Sequence, residues 1–262
     1  DPCLFIRKGK TNLVYMAIWV DDCLIVGSKD DVDGTIDLFK QQFKITEEST
    51  LNDYLSCEIF LDKTKMTGWM GQPDMMKKLQ DKFGEWTKDV RKARTPGPPH
   101  VKVERPKEGE DRLNDEDQRR FRAGVGALLY LVKYSRPDIT NAVRELSKCM
   151  SDANKEAETL LKRVLKFVLN TKDYGLKLEP TMSNKDWKSC EWDLVVYSDA
   201  DWAGDKVSRT SITGFIIFLV ACAICWKSKQ QSSVSLSSAE SEFYALSEAA
   251  REIRFVVQLL YT

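Results

Sequence analysis

Short apolar runs and helix-like repeats alternate along the first third of the chain. Leu13 to Val20 and Cys23 to Val26 are β-prone runs around the polar pair Asp21–Asp22, which predicts a β-hairpin. Apolar residues at helical spacing, behind an acidic first turn, predict an amphipathic helix from Asp30 to Phe43. Two further elements are predicted downstream: a strand at Leu55–Leu61 and a helix at Pro73–Phe83, which begins with proline.

The middle third predicts an extended segment followed by helices. Four of the chain's eight prolines lie between Thr95 and Gly109, with charged residues between them. Residues 95–114 are therefore expected to form a linker or an extended crossing segment. Helical patterns then cover residues 115–134, 139–150 and 155–169, and the third of these has a continuous apolar face.

The last third changes to a strand-like period. Three or four antiparallel strands are expected from four β-like runs: Leu194–Tyr197, Ile212–Val220, Ala223–Trp226 and Val234–Leu236. Ser238 then begins a long helix with one apolar side. The order of elements predicts a mixed α/β fold of the α+β kind, in which strands and helices are partly segregated.

Composition narrows the classes of protein that fit this pattern. No apolar run approaches the roughly 20 residues of a membrane span, so none is expected. The start at Asp1–Pro2–Cys3 carries no initiator methionine and no signal pattern, which is typical of a chain entered in mid-domain. Seven cysteines without framework spacing favour reduced thiols in an intracellular compartment, whose identity the sequence leaves open.

Histidine and cysteine chemistry is disfavoured. The chain has one histidine, His100, in a proline-rich loop, which argues against Ser-His-Asp and Cys-His mechanisms. Cys222 and Cys225 form a CxxC inside an apolar run with no second CxxC, so core packing is preferred over metal binding. Any catalytic chemistry is therefore expected to use carboxylates.

The charges are balanced overall but unevenly distributed. Forty basic residues face forty acidic ones, yet Lys77 to Lys107 holds ten Lys/Arg against four Asp/Glu. Ser189 to Thr262 holds six Lys/Arg against nine Asp/Glu. The basic middle is consistent with contact to phosphates, and the acidic end with metal-binding carboxylates. Charged residues on an ordinary solvated surface would explain these counts equally well. A nucleic-acid-binding module built on the basic stretch is one hypothesis.

Two groups of carboxylates are candidate sites. Asp21 and Asp22 lie between apolar runs, where adjacent carboxylates are costly unless a cation such as Mg²⁺ binds them, although turn chemistry explains the pair equally well. Asp199 leaves a strand, and Glu240 and Glu242 open the last helix, so these acids could converge on a cation. Spacing alone favours the simpler explanation, in which the glutamates stabilise the helix N-terminus.

Longer motifs resemble one family. Leu13 to Ser28 resembles the reverse-transcriptase hairpin with its Tyr/Phe-x-Asp-Asp box, with Trp19 at the aromatic position. Phe121 to Met150 and Lys162 to Leu178 resemble the segment between polymerase and ribonuclease H in copia-type elements. Val196 to Leu246, with YSDADWAGD and SLSSAESEFYAL, is similar to the start of copia-type ribonuclease H. The chain thus resembles the reverse transcriptase/ribonuclease H region of copia-type LTR retrotransposon polyproteins.

This resemblance implies a domain order and roles for single residues. Residues 1–94 would be a partial palm and thumb, 95–114 the linker, 115–185 a helical connection and 186–262 a partial ribonuclease H-like domain. Asp21 and Asp22 would be polymerase metal ligands, and Asp199 and Glu242 ribonuclease H ligands, with Glu240 the alternative to Glu242. The implied cofactor is Mg²⁺, and the implied partner of the intact parent is an RNA–DNA hybrid.

The resemblance also implies what this chain lacks. The family's third polymerase aspartate would lie upstream and its further ribonuclease H carboxylates downstream, so each site keeps about half its ligands. We therefore expect the chain alone to be inactive, and protein partners to cover sheet edges that the missing strands would otherwise pair. The alternative is a domesticated, catalytically dead subunit of a larger assembly.

Overall fold

Six α-helices and ten β-strands make up the part of the chain that the structure describes. This structure is a computed structural model that describes residues 2–48, 51–181 and 193–260. The mixed arrangement, with antiparallel pairing in its sheets, confirms the predicted fold class. The chain divides into two compact units, Asp1–Phe60 and Leu61–Thr262. The four-segment division expected from sequence stays a prediction.

The first unit contains a three-stranded antiparallel sheet and one helix. Its sheet has the order β1 (Leu4–Lys8), β2 (Leu13–Trp19) and β3 (Asp22–Val26). The predicted hairpin is thereby confirmed, whereas β1 was not foreseen. Helix α1 follows at Lys29–Gln42, and β4 (Asp53–Tyr54) pairs with the start of β5 (Cys57–Asp62), the strand within which the unit boundary falls.

A buried aspartate fastens α1 to the sheet of the first unit. Asp31 is 3% exposed, and its carboxylate accepts hydrogen bonds from the backbone N–H of Asn12 (2.9 Å) and the hydroxyls of Thr11 (2.6 Å) and Ser28 (2.7 Å). The hydroxyls of Thr11 and Ser28, then the N–H of Asn12, hold the pKa of Asp31 well below its ordinary value of 3.8. The turn between β1 and β2 is therefore closed by a carboxylate that must stay ionised.

The second unit has a large helical core. Its helices are α2 (Pro73–Phe83), α3 (Asp115–Tyr134), α4 (Thr140–Ser147) and α5 (Lys155–Asn170), in good agreement with the predicted ranges. The side chains of Asn114 and Asn154 cap α3 and α5 by accepting N–H groups three residues on, each at 2.9 Å. Leu128, Leu161 and Val164 are fully buried in the shared core.

A sheet and a long helix complete the second unit. Strands β8 (Leu194–Asp201), β9 (Ile212–Leu219) and β10 (Cys222–Gln230) form an antiparallel meander, and β6 (Thr67–Gly71) pairs with β7 (Leu176–Leu178) elsewhere. Helix α6 (Ser238–Leu260) packs on one face of the meander through Ala249, against Phe215 and Ile217. Cys225 packs on the same cluster, in keeping with the core role expected for this CxxC.

Of the four β-like runs in the last third, Val234–Leu236 does not form a strand. Val234–Leu236 alternates like a strand, but the segment forms no ladder, and Leu236 is 87% exposed. Side chains hold it instead: the hydroxyl of Ser235 donates to Gln231, and the indole N–H of Trp202 donates to the Ser235 carbonyl at 3.1 Å. Alternation specifies a strand only where a neighbouring strand is available to pair with it.

Among the described residues, no helix is both long and apolar enough to cross a membrane.

Replacing Asp31 with asparagine is expected to lower the melting temperature by several degrees, because the amide loses the charge that strengthens the hydrogen bonds from Thr11, Asn12 and Ser28. Since the pKa of Asp31 is lowered in the folded state, its contribution is present above about pH 4 and is lost as the pH falls towards the folded-state pKa. Thermal unfolding followed by circular dichroism between pH 3 and pH 7 measures both effects. Asp30→Asn, an exposed change in the same helical turn, is the control. Equal losses in the two variants would contradict the role of Asp31.

Candidate functional site

The first candidate site lies at the turn between β2 and β3. Trp19 pairs with Asp22 across the hairpin, so Val20 and Asp21 form its tip. Val20 has φ of 54° and is 83% exposed. A β-branched residue in the left-handed region is strained, typically by about 1–3 kcal/mol. The hairpin therefore holds its acidic pair beside a strained residue.

The exposure of this acidic pair corrects one sequence-based argument. Asp21 and Asp22 are both exposed. The expected cost of placing carboxylates among apolar strands is therefore absent, because water solvates both groups. The pair is accessible to a cation, but its stability does not require one.

The second candidate residue, Asp199, projects from the face of the meander opposite α6. Leu194 and Val196 pack towards α6, and side chains alternate along a strand, so Tyr197 and Asp199 lie on the other face. Gly214 is the cross-strand partner of Asp199. Because glycine has no side chain, the space on the neighbouring strand directly opposite the Asp199 carboxylate is unfilled.

A cavity of about 480 Å³ lies over this face of the sheet. Its floor includes Tyr197, Asp199 and Trp226, and its wall is the segment that starts α4, with Thr140 and Asn141. The floor is also joined to α3, because the indole N–H of Trp226 donates to the Val132 carbonyl at 2.7 Å.

The other carboxylates that line the cavity already have partners. Asp138 accepts two hydrogen bonds from the buried Arg136, each at 2.9 Å. Asp201 forms an ion pair with Lys102, which comes from the proline-rich segment 99 residues away. Within the YSDADWAGD motif, Asp201 therefore has an evident structural role.

The two glutamates at the start of α6 differ in role. Glu240 caps the helix: its N–H donates to the hydroxyl of Ser237 at 3.1 Å, and its carboxylate accepts the N–H of Leu236 at 2.7 Å. The helix-start explanation is thus confirmed for Glu240. Glu242 is exposed on α6, beside the buried Ser241. Because α6 packs on the face opposite Asp199, convergence of Asp199 and Glu242 stays a prediction.

Asp205 is an organising residue that the sequence argument missed. Its carboxylate accepts the N–H of Ser208 (2.9 Å) and pairs with Lys148 (3.1 Å). Burial raises its pKa, but the Ser208 N–H and the Lys148 ammonium outweigh burial and lower the pKa to about 2. An Asp followed by Ser and Thr is a turn signal that could have indicated this. Ser211 supports the same loop by accepting the Ala203 N–H at 3.1 Å.

In residues 2–48, 51–181 and 193–260, no group of three or more His, Cys, Asp or Glu side chains could hold a metal ion. The chain brings Asp21 together with Asp22, and Asp199 lines its cavity together with Asp201. Binding of Mg²⁺ by Asp21 with Asp22, and by Asp199 with Glu242, stays a prediction.

Comparison with known proteins identifies the family. The retrovirus-related Pol polyprotein from transposon RE1 of Arabidopsis thaliana is 32% identical over 262 residues, which cover 99% of this chain. An uncharacterised mitochondrial protein of the same plant is 30% identical over 92% of this chain and 93% of its own length. The chain belongs to the copia-type retrotransposon polyprotein family.

The extent of each match differs among these relatives. The chain spans 17% of the RE1 polyprotein. The secreted RxLR effector protein 161 of Plasmopara viticola is 42% identical over half of this chain and 87% of its own length. Copia-type sequence of this region therefore occurs within a long polyprotein and also within much shorter relatives. No family model and no solved structure matches the chain.

Replacing Val20 with glycine is expected to stabilise the hairpin by about 1 kcal/mol, because glycine adopts positive φ without strain. Val26→Gly, an exposed position within β3, is the matched control and should destabilise the hairpin by about 1 kcal/mol. Native-state hydrogen exchange of the β2 and β3 amides measures both changes. A loss of protection in the Val20→Gly variant would mean that Val20 is not strained.

Proposed function

We propose that these residues are part of a reverse transcriptase/ribonuclease H region. The intact parent copies RNA into DNA and cleaves the RNA strand of the resulting hybrid, whereas this chain alone does neither. The observation that carries the proposal is the match over 99% of the chain to a retrovirus-related Pol polyprotein. Within it, the acidic pair lies at the hairpin tip that a metal-dependent polymerase would present to its substrate.

The polymerase half of the proposal rests on Asp21 and Asp22. Both carboxylates are exposed at one turn, and carboxylate oxygens are preferred ligands of Mg²⁺. When bound, the ion supplies charge neutralisation to phosphoryl transfer. Asp21 and Asp22 would hold the ion, and the aromatic Trp19 beside them would contact the substrate strand. Two carboxylates alone are a weak platform for a two-metal reaction, so this chain needs further ligands from its parent.

The ribonuclease H half rests on Asp199 and Glu242. Asp199 opens onto a cavity, and its direct partner on the neighbouring strand is a glycine, so an approaching phosphate backbone would meet no side chain directly opposite the carboxylate. Glu240 is occupied as a helix cap, which leaves Glu242 as the better second carboxylate. Here too we expect the parent to supply the remaining ligands of the metal.

A domesticated, catalytically dead subunit is the second candidate function. A relative of nearly the same extent supports it, since 93% of the mitochondrial protein aligns with this chain. The first unit adds a second reason: it exposes large apolar side chains that a protein partner could cover, namely Phe5, Trp19, Val26, Leu38, Phe43 and Phe60.

The six described cysteines form no disulfide, which fits the proposed intracellular location.

The purified chain is expected to extend no primer and to cut no RNA–DNA hybrid in Mg²⁺ or Mn²⁺, because each candidate site holds only two of its ligands. Gel assays on a labelled hybrid and a primed RNA template measure this. Cutting that Asp199→Asn abolishes would overturn the proposed inactivity.

A chimaera tests the activity of the parent. We expect an RE1 polyprotein carrying this chain in place of its matching region to polymerise and to cleave hybrid. In it, Asp21→Asn with Asp22→Asn should reduce DNA synthesis at least about 100-fold, since even residues that only orient metal ligands are often worth 10- to 100-fold. Hybrid cleavage should persist in that variant, and Asp199→Asn should produce the reverse pattern.

The pattern of loss in the chimaera separates the two candidate functions. Because each substitution should leave the other activity intact, the retained activity reports that the protein is folded. A folded chimaera that lacks both activities would favour the domesticated subunit instead.

A further inference from the structure

Two basic stretches that are separate in sequence, residues 88–95 and the end of α5, meet on one surface of the second unit. Lys166 of α5 donates to the Lys88 carbonyl at 3.3 Å, and Arg163 of α5 donates to the Thr95 carbonyl at 3.5 Å. These contacts hold residues 88–95 along α5. The resulting basic surface consists of seven residues: Lys88, Arg91, Lys92, Arg94, Lys162, Arg163 and Lys166.

Only part of this positive charge is neutralised. Lys88 pairs with Glu85, and Lys162 lies 3.7 Å from Glu158. Asp89 is the remaining carboxylate within the 88–95 segment, so seven cations face three carboxylates. The chain as a whole has no net charge, so a local excess of this size is not a consequence of composition. Mutual repulsion among these cations is unfavourable unless an anion compensates it.

The side chains of the basic surface that a ligand can reach most easily are those of residues 91–94. Arg91, Lys92 and Arg94 are all exposed, and they project from a segment that α5 holds in place. Lys162 is fixed as well, since its ammonium lies 4.6 Å from the centre of the Trp86 ring. Guanidinium and ammonium groups carried on a segment that α5 contacts suit repeated phosphates, because guanidinium binds phosphate oxygens in pairs.

We propose that the basic surface binds the sugar–phosphate backbone of double-stranded nucleic acid without reading its sequence. The proposal rests on the proposed function for the identity of the ligand, an RNA–DNA hybrid. It goes further by assigning the contact to α5 and residues 88–95, none of which is a candidate carboxylate or lines the cavity beside Asp199. Backbone contacts position a duplex and carry no base information, so the binding is independent of sequence.

The test is the salt dependence of hybrid binding by the whole chain. Fluorescence anisotropy with a labelled RNA–DNA hybrid measures the dissociation constant between about 50 and 200 mM salt. The variant Arg91→Gln, Lys92→Gln, Arg94→Gln is expected to bind roughly tenfold more weakly or worse. Its slope of log affinity against log salt should be smaller by about 3, since each phosphate contact contributes about 1. Two hybrids of unrelated sequence should give the same result.

Two matched variants control for total charge and for folding. Lys8→Gln, Lys44→Gln, Lys63→Gln removes the same charge from exposed positions outside the basic surface and should bind like the native chain. Arg91→Lys with Arg94→Lys keeps the charge and should retain most of the affinity. Circular dichroism should be unchanged in every variant, because all the substituted side chains are exposed.

Several outcomes would overturn the proposal. The first is that the native chain does not bind hybrid at 50 mM salt. The second is that both glutamine variants lose the same affinity for hybrid. The third is that the native chain binds phosphatidylserine vesicles or a polyglutamate peptide more tightly than it binds hybrid. Because binding is measured without turnover, the result is independent of catalysis. If the chimaera is active but the glutamine variant of the basic surface binds hybrid as tightly as the native chain, this inference alone is wrong. If the chimaera is inactive but that variant binds hybrid more weakly, only the proposed activity is wrong.

Discussion

The carboxylate of Glu145 joins three parts of the second unit, and it is completely buried. It accepts the backbone N–H of Val103 in the proline-rich segment at 3.1 Å and lies 2.6 Å from Arg144 and 3.1 Å from Lys148. A buried charge is costly unless it is fully paired, so these three contacts depend on one another. Lys148 in turn reaches Asp205, and Arg144 donates to Ser228 on β10 at 3.0 Å. One network of ion pairs and hydrogen bonds therefore connects the helical core to the meander.

The two units use different means of stabilisation. The second unit buries a continuous apolar core across α2 to α5, and so its helices follow from amphipathic periodicity. In the first unit, the buried face of α1 carries Asp31 and Thr35, and Val14 is the fully buried apolar residue of β2. Thr35 accepts a hydrogen bond from Arg7 at 2.6 Å. Polar contacts therefore position α1, and they leave apolar side chains of this unit in contact with solvent.

Local sequence determined the elements that have strong local signals. Proline at the first position and amphipathic spacing gave α2 its observed limits, and two apolar runs around a polar pair gave the β2–β3 hairpin. The short strands β1, β6 and β7 were missed, because three to five residues carry too little periodicity to be recognised. Val234–Leu236 was wrongly predicted for a related reason: its alternation is local, whereas strand pairing depends on a distant neighbour.

Contacts between distant residues could not be predicted from the sequence. The hydrogen bonds of Asp31 reach turn residues about twenty positions earlier, and Asp201 meets a lysine 99 residues away. The basic surface illustrates the same limit in the candidate sites. Charge counting found the excess in Lys77 to Lys107, but the contribution of Arg163 and Lys166 depends on how α5 packs.

These distant contacts affect how far the acidic residues of the ribonuclease H-like region support an enzymatic parent. Retention of Asp199, Asp201, Glu240 and Glu242 would favour an enzymatic parent if none of them had a structural role. Glu240 is a helix cap and Asp201 is the ion-pair partner of Lys102, so both carboxylates already make contacts within the fold. Asp21, Asp22, Asp199 and Glu242 are exposed and have no comparable role in the described contacts. The proposal of a metal-dependent parent therefore rests on these four residues, and substituting them removes the proposed metal ligands without disturbing the described contacts that hold the fold.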